Sequence, residues 1–85
     1  MSLTIRYFAS VREKLGSQES VELSELASPT VGALHACLAA RSPLHAAALA
    51  EDRCLRTACN QTLCSADQSV QDGDEVAFFP PVTGG

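Results

Sequence analysis

The chain closes on FFPPVTGG, residues 78–85, so its last chemical group is a main-chain carboxylate carried by the pair Gly84-Gly85. A terminal carboxyl ionises near pKa ~3.3–3.7, so in neutral water it is a poor electrophile. It becomes reactive when another enzyme gives it a leaving group, as an acyl-adenylate or a thioester. Two glycines suit such an end, because without a Cβ they enter a narrow channel and take φ/ψ values closed to other residues. Pro80 and Pro81 cannot donate ladder hydrogen bonds and favour an extended path, which limits the entropy lost when the segment docks. The candidate chemistry therefore sits in the main chain.

Side chains offer less. Cys37, Cys54, Cys59 and Cys64 form no C-x-x-C pair and match no common zinc spacing. They read as reduced thiols that pack as small hydrophobes. His35 has no second ligand three or four residues on and reads as a solvent-facing helix residue, so no metal site is expected. Asp72, Asp74 and Glu75 surround Gly73 and read as a turn before a strand rather than as a cation site. No nucleophile–base pair, P-loop or nucleotide fingerprint is present.

The elements that must carry the end group follow from patterning. Leu3-Thr4-Ile5-Arg6-Tyr7 alternates as a half-buried strand, and Phe8 breaks the alternation. Ala9 to Gly16 reads as a loop or a single helical turn, and Ser20 to Leu23 alternates again, giving a hairpin with a long connection. A helix follows, capped either by Ser28 with Pro29 at its first position or by Thr30 with the helix starting at Val31. Val31, Leu34 and Leu38 form its apolar stripe, with Cys37 beside it. Ser42-Pro43 ends it, and Leu44 to Glu51 suits a second, shorter helix. Cys54–Cys59, a turn at Asn60-Gln61, Thr62–Cys64 and a last strand, Glu75–Phe79, complete the order. Phe78 and Phe79 must point to opposite faces of that strand, so one core cannot easily claim both. The order suits an α+β roll with one main helix across a mixed sheet, residues 1–79, and an extended tail, residues 80–85.

Eighty-five residues make one domain. Six Lys+Arg against ten Asp+Glu, net −4, leave no basic patch for nucleic acid. No apolar run approaches the ~20 residues that span a bilayer. The opening MSLTIRYF is too short and too alternating for a secretion signal, so a cytoplasmic location is expected.

The segments YFASVRE, PTVGAL, NQT and DGDEVAFFPPVTGG, together with the order of elements, resemble the ubiquitin-like β-grasp sulfur carriers. The resemblance is nearest to the small subunit of molybdopterin synthase, the MoaD family. It implies that an activating enzyme like those serving ubiquitin uses ATP to adenylate Gly85, and that a sulfur donor enzyme then makes a thiocarboxylate. The carrier itself would bind no cofactor. Its tail, through Pro80, Pro81, Val82, Thr83 and Gly84, would insert into the large synthase subunit, in a heterotetramer, and donate sulfur to cyclic pyranopterin monophosphate. By the same resemblance Arg12, Leu63 and Phe79, with Phe8, match partner-contacting positions. The chain would then be a carrier subunit, with the catalytic side chains on its partners. A second reading stays open: a ubiquitin-like modifier joined through Gly85 to lysines of other proteins.

Overall fold

Leu3, Ile5 and Tyr7 alternate with Thr4 and Arg6, and this period of two builds β1 (Ser2–Tyr7) with its odd-numbered side chains buried. The structure is a computed structural model that describes residues 1–50 and 55–80. After β1 come α1 (Ala9–Leu15), β2 (Gln18–Glu22), a 3-10 turn (Leu23–Glu25), α2 (Val31–Ala39), α3 (Pro43–Ala48), β3 (Arg56–Cys59), β4 (Thr62–Cys64) and β5 (Glu75–Phe79).

The five strands form one sheet in the order β2-β1-β5-β3-β4. β1 and β5 run parallel at its centre, with Ile5 opposite Val76 and Tyr7 opposite Phe78, and the other pairings are antiparallel. This is the mixed sheet of the expected β-grasp roll. Leu3, Ile5, Tyr7, Val21, Val76 and Phe78 present one apolar face, and Leu34 and Leu38 of α2 close over it. Burying each large side chain of this set is worth about 1.5–3 kcal/mol.

The capping alternative resolves in favour of Thr30, whose hydroxyl accepts from the Ala33 N–H at 3.2 Å. Ser42 caps α3 in the same way, accepting from His45 N at 3.1 Å, and Pro43 takes the first helical position, so this helix starts one residue earlier than expected. It also ends earlier than the expected Glu51, at Ala48, with Leu49 as its C-cap; Glu51 and Cys54 themselves lie outside the described residues.

Three expectations are corrected. Ala9–Leu15 is a seven-residue helix rather than a loop or a single turn, because Val11 is drawn into the core. Gly16 ends it at φ 91, a conformation a side chain would strain. β2 begins earlier than expected, at Gln18, and stops at Glu22; Leu23 opens the 3-10 turn, whose Glu25 carboxylate accepts from the Glu22 N–H at 2.9 Å. His35 is not solvent-facing. Its Nε2 lies 2.6 Å from the Leu49 carbonyl and its ring 5.6 Å from that of Phe78, pinning the segment after α3 to α2 and the sheet.

Candidate functional site

β5 leads into the segment expected to carry the chemistry, and the contacts at its start set its register. The turn before it places Gly73 at φ 88, and its N–H bonds to the Ser2 carbonyl at 2.9 Å. The Asp72 carboxylate accepts from Ser2 N at 2.8 Å. Asp74 accepts from Asn60 Nδ2 at 3.0 Å and Gln71 N at 2.9 Å, and these bonds hold its carboxyl below the usual carboxylate range. Asn60 also holds the Glu75 backbone from both sides: its N–H donates to Glu75 O at 2.7 Å, and its side-chain Oδ1 accepts from Glu75 N at 3.0 Å. The acidic cluster and the Asn60-Gln61 turn, where both residues have positive φ, thus work as one clasp that fixes the start of β5. Among the described residues no three His, Cys, Asp or Glu side chains gather as a metal site.

From that clasp β5 alternates strictly. Val76 and Phe78 are fully buried, while Glu75, Ala77 and Phe79 face away from the helices. Register extends this second face to both sides. Arg6 lies beside Ala77, Ala77 beside Ala58, and Ala58 beside Leu63; one step on, Phe79 lies beside Arg56. Phe8 continues β1 in extended conformation and its N–H bonds to Phe78 O at 3.2 Å, so its ring joins the same face. No described helix covers it.

Three of the residues expected at the partner interface therefore meet on this face. Leu63 is 65% exposed and Phe8 41% exposed, both unusual for large apolar side chains, and Phe79 is half-buried between them. Arg12 is exposed on α1, one turn beyond Phe8, at the end of the sheet from which the tail departs. Pro80 is the first residue beyond the sheet. Pro81, Val82, Thr83, Gly84 and Gly85 lie outside the described residues.

Arg6 and Arg56 of this face were not anticipated, since a charged residue in an alternating strand reads as a solvated position. The Arg6 guanidinium stands 5.7 Å from the centre of the Phe8 ring, and its Nη1 is 3.7 Å from the Glu75 carboxylate.

Behind the sheet, a polar cluster ties α3 to the β1–β2 pair. Glu19 accepts from the Tyr7 hydroxyl at 2.6 Å and from Arg41, and its Oε2 lies 2.8 Å from His45 Nε2. Burial works to raise the Glu19 carboxyl, but the bonds from Tyr7, His45 and Arg41 outweigh it and hold it below the ordinary range. Burial, then the bond to Glu19, pushes the Tyr7 phenol well above its usual value. Both groups keep fixed charge states near neutrality, which suits a brace rather than an acid–base catalyst.

The thiols are unactivated where a shift is resolved. Burial, and next the Asp74 charge, raise the Cys59 thiol. Cys37, Cys59 and Cys64 all pack against the core, as expected of small hydrophobes. A half-open cleft of about 300 Å³ lies between the start of α2 and the β3–β4 hairpin. The first N–H groups of α2 are already taken there: Val31 donates to Gln68 O, Gly32 to Ala66 O and Ala33 to Thr30 Oγ1. That helix end holds no spare donors for a phosphate.

The sequence profile of the ThiS family matches residues 5–85. A molybdopterin synthase sulfur carrier subunit from Escherichia coli (strain K12) is 49% identical over 83 residues, which is 98% of this chain and 99% of that protein. Its namesake from Haemophilus influenzae is 40% identical over 83 residues, with the same coverage of 98% and 99%. Among solved structures, SAMP1 from Haloferax volcanii superposes with a TM-score of 0.75 at 27% identity, covering 100% of both chains. A structure of H. volcanii small archaeal modifier protein 1 gives 0.69 at 27% identity, covering 95% of this chain and 98% of that one. A chain from the complex of subunits 1 and 2 of molybdopterin-converting factor from Helicobacter pylori gives 0.67 at 23% identity over 100% of both, a likeness of fold.

Proposed function

The chain belongs to the ThiS family, and from that premise we propose that it is the sulfur carrier subunit of a molybdopterin synthase. The observation that carries this reading is the 49% identity to a protein of that name across 98% of the chain and 99% of that protein.

In this reading Gly85 is the working group. Its carboxylate attacks the α-phosphorus of ATP on an activating enzyme, forming the acyl-adenylate and releasing pyrophosphate. A donor then supplies sulfur at the sulfide level, which attacks the acyl carbon and displaces AMP, and the end becomes a thiocarboxylate. That sulfur passes to cyclic pyranopterin monophosphate in the large synthase subunit, water cleaving the acyl–sulfur bond and returning Gly85 to a carboxylate, and two such transfers complete the dithiolene of molybdopterin. The carrier holds no cofactor and ATP is consumed by its partner. It works in the cytoplasm, as one of two small subunits in a heterotetramer.

The chain's own contribution is position. The clasp at Asp74 and Asn60 fixes β5, β5 aims the tail, and Pro80 starts an extended exit. From Pro80 the remaining residues, 81–85, reach at most about 18 Å at up to ~3.6 Å each. Phe79, Leu63 and Phe8, with Arg12 nearby, would grip the large subunit while the tail enters it. Among the described residues no helix is long and apolar enough to cross a membrane.

Intact-mass analysis of the chain purified from its own cells tests the proposal. Replacement of one oxygen by sulfur at Gly85 supports the carrier. Gly85 found joined to lysine side chains supports the modifier, the reading that likeness to H. volcanii small archaeal modifier protein 1 keeps in view.

A further inference from the structure

The open face has a shape and a charge that describe what it receives. Its centre is two alanines in neighbouring strands, Ala77 and Ala58, and Ala58 is only 8% exposed although no described helix covers it. Larger side chains stand around them. Phe8, Phe79 and Arg56 stand in the row nearest the tail, Arg6 and Leu63 close the two sides of the alanine pair, and Thr4 and Glu75 form the row beyond it. Two methyl groups as a floor among three protruding apolar side chains make a shallow bowl.

The charge of the rim runs against that of the chain. The whole protein carries −4, yet the charged residues set beside Ala77 and Phe79 on the neighbouring strands are arginines, Arg6 and Arg56, with Glu75 of β5 the one acid on this stretch of the face. Arg6 is held in place by the Phe8 ring and by a loose ion pair to Glu75 at 3.7 Å, longer than a hydrogen bond. A guanidinium has five N–H donors, so most of its capacity stays unused. Arg56 has no ion-pair partner among the described residues. The two arginines lie on strands either side of β5 and two residues out of step, so their backbones are about 12 Å apart: two strand spacings of ~4.8 Å across and two residues of ~3.3 Å along.

Resting on the carrier reading, we infer that the bowl seats one protruding apolar side chain of the large subunit, flanked by two carboxylates that pair with Arg6 and Arg56. The apolar knob supplies affinity because it is desolvated on a floor with room for it. The carboxylates supply register and rate of encounter, since rim charges act mostly on steering and specificity. The occupant is the large subunit because the bowl adjoins Pro80, so a partner docked on it is also the one the tail enters. Arg6 and Arg56 are thus specificity-determining residues rather than catalytic ones.

The experiment is a calorimetric titration of the full chain with the purified large subunit at low and high salt, with thermal melts of every variant. Arg6→Glu/Arg56→Glu should bind at least tenfold more weakly at low salt, with the difference from the unaltered chain shrinking at high salt. Ala77→Leu should lose at least tenfold at both salts, because it fills the floor. Both melts should stay close to that of the unaltered chain; should Ala77→Leu unfold, Arg6→Gln/Arg56→Gln, with its smaller change, carries the test through the salt dependence alone. Unaltered binding by the folded charge variants overturns the inference while leaving the carrier reading intact. Failure of the unaltered chain to bind the large subunit counts against the carrier reading itself. A dimer of the unaltered chain in sedimentation, abolished by Ala77→Leu while binding to the large subunit is unchanged, makes a second copy the occupant and overturns the assignment.

Discussion

Phe78 and Phe79 are consecutive in β5 and stand back to back: the first is fully buried, 6.3 Å from the Tyr7 ring and 5.6 Å from the His35 ring, and the second belongs to the open face beside Arg56. One strand thereby serves both the core and the docking surface, and the tail leaves from the point where they meet.

That division gives a paired prediction. Phe79→Arg should leave the circular dichroism melt close to normal and weaken binding of the large subunit by at least ~2 kcal/mol, the loss of a central aromatic anchor. Phe78→Ala should do the opposite, destabilising the fold by about 3–5 kcal/mol through a cavity. A collapsed melt for Phe79→Arg, with normal binding by what remains folded, would return Phe79 to the core.

The Glu19 brace predicts acid sensitivity. Its carboxyl titrates lower in the folded chain than the ordinary 4.5, so the stability it contributes is complete above about pH 4.5 and is lost as the pH falls through the lower, folded value. Glu19→Ala leaves Tyr7, Arg41 and His45 without their shared acceptor and should cost about 1–2 kcal/mol at pH 7, since the site is partly exposed. Denaturant melts from pH 7 to pH 3 should show the variant losing less stability than the unaltered chain below pH 4.5. Parallel curves across that range would mean the cluster stores no pH-dependent stability.

Much of this was legible in the sequence because local and tertiary preferences agree there. Alternation exposes β1, Gly73 marks the turn before β5, and Thr30 with the stripe Val31, Leu34, Leu38 defines α2. The first helix escaped because Ala9–Leu15 has only Val11 and Leu15 at helical spacing and no capping side chain at Phe8; burial of Val11 makes it. His35 escaped because its partner, the Leu49 carbonyl, is fourteen positions away and brought near only by the turn into α3. Of the interface, Phe79, Leu63 and Phe8 came from resemblance together with the facing of β5. Arg6 and Arg56 needed the register, since neither is near the other in sequence and each joins the bowl through β5.

The thiols should prove dispensable for transfer. A chain with Cys37, Cys54, Cys59 and Cys64 changed to Val or Ala should melt earlier, by an amount set by three packed positions, and still deliver sulfur at a rate within a few-fold of normal once folded. Complete loss of transfer in a demonstrably folded variant would move the chemistry from the main chain to a thiol.

Removal of Gly85 alone tests the central claim most directly. The shortened chain still ends in a glycine carboxylate, on Gly84, but its end group falls short by up to ~3.6 Å. Displacement of even ~1 Å can cost about a hundredfold in rate. The measurement is synthesis of molybdopterin from its cyclic precursor by purified large subunit, activating enzyme, ATP and a sulfur source. We predict a thermal melt indistinguishable from the full chain, retained binding to the large subunit, and product formation reduced by at least a hundredfold. Turnover near the normal rate by the shortened chain would contradict the account, because the position of the end group is what the rest of the structure is held to provide.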